Sequence, residues 1–558
     1  MKGTKVLILV PHQDDEINVA GNTIANFFRM GAEIHVCYST NGDYEVPASI
    51  RIQEAVNSLK KLGCNVENIH FLGYADSLNN NPNGHIFYDE EKVVESKSGH
   101  TETYGWKQYK DYRFTKTGSH SKYNSKSYNK DLKELILDIR ANIIICVDLD
   151  THADHRMLSL SFDKVMGEIL KTGIDYHPLV LKRFAYPLAY FAPQDFYSLN
   201  LKSTLKPTID YHSFPQDLID TSYYDWNQRL RLPVIKGEYN HFLSTKMLTQ
   251  ALSCHKSQSA IFKASGIING DEVFFIRRTD SLSYKATVNV SSGNGEMLND
   301  FQPLNTKNID DKNLVFDDYL WRPDYDDERK EVSFSWDSPV DISYIRIYGN
   351  IEGAGCIGKI RIIFDNRYYL DVGPLPMRGR PLDIMLETHY CVSNCKIIIN
   401  EIEGTEYGIS QCEFYTNHYS EVMLPPLLKV LIGDDFVYKY YIDYIIKSID
   451  ISSYFFMNKQ HRVRYKVING DAIFSDGKII FGKSKLVVLR AELIDNSEIY
   501  DQVIIERLHS MQILFLRCIQ MTEEFFLHCF SRLMRKFNFL KNKFKGMYNE
   551  RSKNRNTN

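Results

Sequence analysis

No uninterrupted apolar stretch in these 558 residues is long enough to cross a bilayer, which needs about 20 apolar residues. No charged leader with an apolar segment precedes the first core strand. Met1-Lys2-Gly3-Thr4-Lys5 runs straight into it, so a signal peptide is not expected and a cytoplasmic location is. Neither sign of charge dominates: 67 Lys and Arg against 70 Asp and Glu leave −3, too little basic field to make nucleic acid the expected partner. Cysteine pairs are lacking as well. Ten cysteines are scattered, and Cys391 and Cys395 form the only close pair, with no second pair to complete a zinc site. Cys37, Cys146 and Cys412 lie in apolar contexts, as expected of reduced, buried thiols. The remaining composition, 43% hydrophobic and 25% charged, is that of a soluble globular protein, and the length suggests about three or four domains.

Two short clusters stand out. Pro11-His12-Gln13-Asp14-Asp15-Glu16 follows the apolar run 5–10, and Asp150-Thr151-His152-Ala153-Asp154-His155 follows the apolar run 143–147. Both runs are β-prone without alternation, which fits strands covered on both faces in a parallel sheet. Helical stretches follow at roughly 17–29 and 155–170, giving the strand–turn–helix repeat of an α/β fold. In such sheets the site lies beyond the carboxyl ends of the strands, where both clusters fall. Two histidines and a carboxylate bind a divalent metal, and a further carboxylate beside them can serve as base. The alternative for each cluster alone is a turn with solvated acids.

Further strands are expected at 32–38 and 68–72, with helices at 48–62, ended by Gly63 as C-cap, at 131–140 and at 246–255. The polar stretch 77–128 reads as a long loop over the strand ends, a candidate substrate lid. Beyond about 287 short alternating runs such as Val332-Ser333-Phe334-Ser335-Trp336 and Tyr344-Ile345-Arg346-Ile347-Tyr348 suggest a β-sandwich. The expected organisation is multidomain. An α/β Rossmann-like parallel sheet spans 1–285 and a β-sandwich 286–417. A smaller β domain spans 418–505, and an amphipathic helix with a basic tail 506–558. In that last part Ile513, Leu514, Leu516, Ile519, Phe525, Phe526, Leu533, Phe537 and Leu540 recur at helical spacing. Arg532, Arg535, Lys536, Lys541, Lys543, Lys545, Arg551, Lys553 and Arg555 face only Glu550 in charge. A basic amphipathic helix suggests an anionic membrane surface, here the inner face; a docking helix with a solvated tail is the other reading.

The first 280 residues resemble the PIG-L/LmbE-like family of zinc-dependent N-acetylglucosaminyl deacetylases. The family motif Pro-His-Pro-Asp-Asp-Glu stands here as Pro11 to Glu16 with Gln13 for the middle proline. His-Pro-Asp-His stands as His152-Ala153-Asp154-His155. Thr40-Asn41-Gly42-Asp43, Arg51-Ile52-Gln53-Glu54 and Ser257-Gln258 resemble its smaller elements. The resemblance implies Zn2+ ligation by His12, Asp15 and His155, with Asp14 as general base. It makes His152 the charged partner of the oxyanion or leaving amine, oriented and kept protonated by Asp154. Asp154 could instead cap the following helix. Arg51 is implied as a substrate contact, or pairs with Glu54 one turn on. Asp76 would accept sugar hydroxyls, or simply end a turn. Near the second motif, Asp148-Leu149-Asp150 stands where some relatives carry a carbonyl-polarising tyrosine.

The region 299–414 resembles a galactose-binding-like, discoidin-type module in Trp321-Arg322-Pro323, the run 340–348 and Gly408-Ile409-Ser410-Gln411-Cys412-Glu413-Phe414. Trp321 and Arg322 would meet sugar, or Trp321 would be core. The expected activity is hydrolysis of the acetamide of an N-acetylated amino sugar, in a glycan or glycolipid, to amine and acetate. Two alternatives stay open: an amidase on another amide or thiol conjugate, and a glycan-binding protein with an inactive hydrolase domain.

Overall fold

The computed structural model describes residues 1–76, 91–149, 152–185, 229–232, 247–260, 271–303, 320–350, 355–377, 380–417, 431–432, 439–450, 455–456, 463–494, 497–498, 500–519, 521–522, 525–526 and 529. Its first unit is a seven-stranded sheet. The strands are β1 (Lys5–Val10), β2 (Glu33–Thr40), β3 (Ile69–Tyr74), β4 (Ile143–Val147), β5 (Leu179–Arg183), β6 (Leu230–Leu232) and β7 (Glu272–Arg277). Their order is β3-β2-β1-β4-β5-β7-β6. The first five are parallel, and β7 adds antiparallel to β5 and β6 to β7. Helices α1 (Asp15–Arg29), α2 (Ala48–Leu62), α3 (Tyr112–Thr117), α4 (Ser125–Ile139), α5 (Ala153–Lys171) and α6 (Met247–Leu252) accompany the sheet.

The apolar runs explain the centre of this sheet. Val6 to Val10 and Ile143 to Val147 are all within a few per cent of complete burial, as strands covered on both faces must be. Each such side chain contributes about 1.5–3 kcal/mol by leaving water. Gly63 ends α2 in the left-handed conformation (φ 97°), and Cys64 N–H reaches back to Leu59 O at 3.0 Å. Helix α1 breaks at Ala20, and the amides of Asn22 and Thr23 donate to the buried Glu272 carboxylate at 2.7 and 2.8 Å.

Two stretches differ from what the sequence pattern predicts. Helix α4 starts at Ser125 rather than near 131, because Asn124 caps it by accepting from Ser127 N–H at 2.8 Å. The stretch expected as an open loop at 77–128 is built differently where it is described. It holds α3 and docks on the end of β3: Tyr123 OH donates to Gly73 O at 3.1 Å, and Tyr74 packs against the Tyr123 and Tyr128 rings at 5.8 and 5.0 Å. Residues 77–90 lie outside the described residues.

A second unit is a six-stranded antiparallel sheet of β8 (Thr287–Val290), β9 (Glu331–Tyr348), β10 (Gly355–Phe364), β11 (Tyr368–Val372), β12 (Pro381–Gly404) and β13 (Gln411–Tyr415). The two runs expected as separate strands are one 18-residue strand, β9. Register shifts in β12 between Met385 and Tyr390 and between Val392 and Asn394 interrupt its ladder with β9. Phe334 and Phe414, from different parts of the sheet, meet at 4.9 Å in one core. Trp321 is completely buried there, with its indole N–H donated to Ser292 O at 2.9 Å. Of the two readings of Trp321 the core one holds, since the ring has no open face. Further strands are β14 (Leu431–Ile432), β15 (Lys439–Asp443), β16 (Ser448–Asp450), β17 (Phe455–Phe456), β18 (Val463–Asn469), β19 (Ala472–Ser475), β20 (Lys478–Phe481), β21 (Leu486–Leu493) and β22 (Tyr500–Leu508). They form a four-stranded sheet (β15-β22-β21-β18), a three-stranded sheet (β16-β20-β19) and the pair β14-β17. Ile479, Phe481, Val487, Leu489, Val503 and Ile505 share one apolar core there.

Residues 510–519 are helical, with Met511, Leu514 and Phe515 exposed; the basic part from Arg532 onward lies outside the described residues. Among the described residues no helix is long and apolar enough to cross a membrane. All ten cysteines are free.

A buried ion pair joins the first two units. Arg277 at the end of β7 donates to Glu413 of β13 at 2.6 Å and to Tyr348 OH at 3.1 Å, and its guanidinium lies over the Phe301 ring at 4.5 Å. Removing one partner leaves a buried charge unpaired. Arg277→Met is therefore expected to cost about 3–5 kcal/mol in urea unfolding; wild-type stability in that variant would mean the pair does not join the units.

Candidate metal centre

The sheet order puts β1 beside β4, with Val6 to Leu9 paired to Ile143 to Cys146. The chain leaves β1 toward β2 and β3 on one side and continues from β4 toward β5 on the other. The turns after β1 and β4 therefore flank the crevice where the strand order reverses. The two clusters meet in that crevice. His12 Nδ1 lies 3.0 Å from Asp15 Oδ2, His155 Nε2 lies 3.1 Å from the same oxygen, and the two nitrogens are 3.3 Å apart. All three side chains are buried.

That triangle fits a zinc ion. Bonds of about 2.0–2.2 Å to a tetrahedral centre put neighbouring ligand atoms about 3.3 Å apart, close to the spacing seen here. Two imidazole nitrogens facing one carboxylate oxygen are a borderline-soft donor set suited to zinc, and three protein ligands leave a fourth position open. Asp14, Asp15, Asp76 and Asp154 also put four buried or nearly buried carboxylates around three imidazoles, a surplus that a divalent cation neutralises. Two wider groups share the crevice: His12 with His152 and His155, and His12 with Asp76, His152 and Asp154. Their ligand atoms lie within 4.8 Å of one another. In the His12–Asp15–His155 triangle all three distances lie between 3.0 and 3.3 Å.

Electrostatics follow the same geometry. Burial pushes the His12 pKa down, but Asp76, with hydrogen bonds to Asp15, Asp154 and Asp76, drives it well above the ordinary histidine value. Burial pushes Asp15 up, and the charge and hydrogen bonds of His155 and His12 take it well below the usual carboxylate range. His12 Nε2 lies 3.1 Å from Asp154 Oδ2, so with Nδ1 turned to the triangle its other nitrogen donates to a carboxylate. Such a partner fixes the tautomer and orientation of a metal-binding histidine.

Asp154 therefore sits closer to His12 than to His152, whose Nδ1 is 3.8 Å from its carboxylate. This differs from the expectation that Asp154 orients His152. Asp154 does not cap α5 either: His152 does, its Nδ1 accepting the Asp154 N–H at 3.2 Å. A protonated His152 was expected; its surroundings favour the neutral ring. Burial, and then the positive charge of His12, push its pKa down to about 4, so the ring is neutral near pH 7. A neutral ring accepting at Nδ1 carries its proton on Nε2.

Asp76, after β3, brings Oδ1 within 3.4 Å of His12 Nε2 and lies at the site. Arg51 is buried in α2 and spends its guanidinium on the turn. It donates to Gln13 O at 2.9 Å and lies 3.8 Å from Asp14 Oδ1. Glu54 accepts instead from Ser257 N–H and hydroxyl at 2.9 and 2.6 Å, so Arg51 and Glu54 do not pair. Gln13 donates to Thr40 O at 2.8 Å, and a Cβ at Gly42 (φ 61°) would collide with its side-chain oxygen. The turn after β2 is a close fit for that reason. Three residues escaped the sequence reading: Glu16, Ser58 and His255. Glu16 stood in the quoted motif, and His255 two residues before Ser257. Asp150 lies outside the described residues.

A buried triad of two histidines and a carboxylate at the switch point of a mainly parallel sheet is the class of site that metal-dependent hydrolases use. Residues 7–166 match the family model PIG-L, GlcNAc-PI de-N-acetylase, so the chain carries a PIG-L family domain at its N-terminus. A curated relative, the probable N-acetylglucosaminyl-phosphatidylinositol de-N-acetylase of Dictyostelium discoideum, is 34% identical over 90 residues, 16% of this chain. The chain spans about a third, 33%, of the length of that relative. Among solved structures, the N,N'-diacetylchitobiose deacetylase of Pyrococcus horikoshii is similar at 16% identity and TM-score 0.26. That match covers 50% of this chain and 84% of the other. A module of Clostridium perfringens, CpGH89CBM32-6, is similar at 17% identity and TM-score 0.16, covering 24% and 94%.

Purified protein exposed to zinc and then desalted is expected to retain one equivalent by elemental analysis. His155→Ala should retain none. Equal zinc content in both would rule out the triangle as the binding site.

Proposed function

We propose that the N-terminal unit is a zinc-dependent deacetylase acting on the acetamide of an N-acetylated amino sugar carried in a glycan or glycolipid. The observation that carries this reading is the spacing of His12, Asp15 and His155 with Asp14 next in the chain. In this reading His12, Asp15 and His155 hold the metal. A bound zinc ion supplies Lewis acidity, bringing the pKa of a coordinated water toward neutrality and polarising a carbonyl oxygen.

The chain's own groups supply the rest. Asp14 stands beside the ligand Asp15 with its backbone in an unusual conformation (φ 140°), and its Oδ1 lies 3.8 Å from the Arg51 guanidinium. Of the two carboxylates, one takes the metal and the other faces the water. Asp14 accepts the proton from water as its oxygen bonds to the carbonyl carbon, then passes that proton to the nitrogen as the C–N bond breaks. Acetate and a free amine result. His152, neutral with its proton on Nε2, donates a hydrogen bond to the developing oxyanion. Asp154 holds His12 in its ligating orientation, Arg51 secures the Gln13–Asp14 turn, and Asp76 is placed to accept a sugar hydroxyl.

The PIG-L family match and the curated relative's printed name support the acetamide over another amide. The amidase alternative has no specific observation in its favour. Nor does the glycan-binding reading, since His12, Asp14, Asp15, His152 and His155 are all gathered at one site. The basic C-terminal segment is proposed to meet an anionic membrane surface, which suits a lipid-carried substrate.

Acetate release from N-acetylglucosamine conjugates is expected to stop on chelation and return with zinc. Asp14→Asn should lower turnover by about a hundredfold or more while leaving zinc bound. Unchanged release after chelation would exclude the metal reading, and zinc loss in Asp14→Asn would mean that Asp14, not Asp15, is the ligand.

A further inference from the structure

The strained turn that carries Asp14 is held from an unexpected direction. Asp14 has φ 140°, in the region that favours glycine, and a side chain there costs on the order of 1–3 kcal/mol unless its surroundings over-determine it. Its N–H donates to Glu16 Oε2 at 2.9 Å. The other oxygen of that carboxylate, Oε1, accepts from His255 Nε2 at 2.7 Å and from Ser58 hydroxyl at 3.0 Å. Glu16 and His255 are both completely buried. His255 lies 239 residues from Glu16 in sequence, just past α6, and its Nδ1 has no hydrogen-bond partner among the described residues. The ring therefore makes one side-chain hydrogen bond, and that bond goes to the carboxylate that fixes Asp14.

We infer that His255 is a positioning residue for the proposed reaction: through Glu16 it holds the Asp14 backbone at φ 140°, the conformation that sets the Asp14 carboxylate beside Arg51. The inference rests on the deacetylase reading above. It adds that the late segment around α6 completes the base rather than only covering the sheet. The geometry singles out one direction of control. His255 donates to Glu16, Glu16 accepts from Asp14, and neither touches the His12–Asp15–His155 triangle directly among the contacts found. Loss of His255 should therefore misplace the base while leaving the metal bound.

The test compares His255→Ala, His255→Gln and Glu16→Gln in the full chain. Glutamine at 255 can still donate to Glu16. Glutamine at 16 keeps a single acceptor oxygen for three donors. His255→Ala and Glu16→Gln are expected to lower kcat roughly ten- to a hundredfold, the loss of one buried charge-assisted hydrogen bond. KM should stay within about twofold and zinc at one equivalent. His255→Gln should recover most of kcat, which a purely structural role for the imidazole would not give. Hydrogen exchange supplies a readout that needs no turnover: the Asp14 amide should be protected in wild type and His255→Gln, and exchange faster in His255→Ala. Unchanged kcat and unchanged Asp14 protection in His255→Ala would overturn the inference. So would loss of zinc together with kcat in all three variants, since His255 would then support the metal site as a whole. If wild type releases no acetate, the deacetylase reading fails by itself, and the amide exchange alone judges the His255 link.

Discussion

Everything at the site depends on β1 and β4 being neighbours in a parallel sheet. Their pairing brings two turns from distant parts of the chain to one end of one crevice. No local propensity could do this. The pairing is enforced by burial on both faces, since a register slip would bring polar turn residues into a fully apolar layer. A rigid sheet underneath, with Asp154 bonded to His12 at 3.1 Å and Asn18 to Asp15 at 3.3 Å, lets His12, Asp15 and His155 hold spacings near 3 Å.

Above that sheet the site is a concentration of like charge. Carboxylates from four turn positions crowd around three imidazoles, and the imbalance is tolerable only with cations present. The protein meets part of it with Arg51, which serves the Gln13–Asp14 turn instead of facing outward. Asp154 bonds His12, while burial and the His12 charge push the His152 pKa down. Two histidines three residues apart thus have different surroundings: His155 lies 3.1 Å from the Asp15 carboxylate, and His152 lies 3.8 Å from that of Asp154. The division of labour in the proposed hydrolysis follows from this difference in surroundings.

The meeting of the two motifs and its place in the fold were legible because both sit at the ends of unbroken apolar strands, where periodicity and residue chemistry agree. The Glu16–His255 contact was not legible, since a buried carboxylate and a buried histidine carry no periodic signal and meet only through tertiary packing. The docked segment around Tyr104 and Tyr123 reads as a polar loop because its core is made of tyrosines, whose hydroxyls lower its apparent hydropathy. There, Asn41 amide donates to Tyr104 O at 3.0 Å and Tyr104 OH to Asp43 at 2.7 Å, so the insert is tied to the rim of the site. Strand β9 was read as two runs because Ser338 and Pro339 interrupt its alternation, yet the chain stays extended through them. Trp321 looked like a sugar platform only because sequence cannot tell a core indole from an exposed one.

The central claim is that one ion is held jointly by two turns. A crystal of the zinc-loaded protein, with anomalous differences collected on both sides of the zinc edge, tests it most directly. The account predicts a single strong peak about 2.0–2.2 Å from His12 Nδ1, Asp15 Oδ2 and His155 Nε2. A peak elsewhere, or a map with none while those three atoms keep their positions, would contradict it.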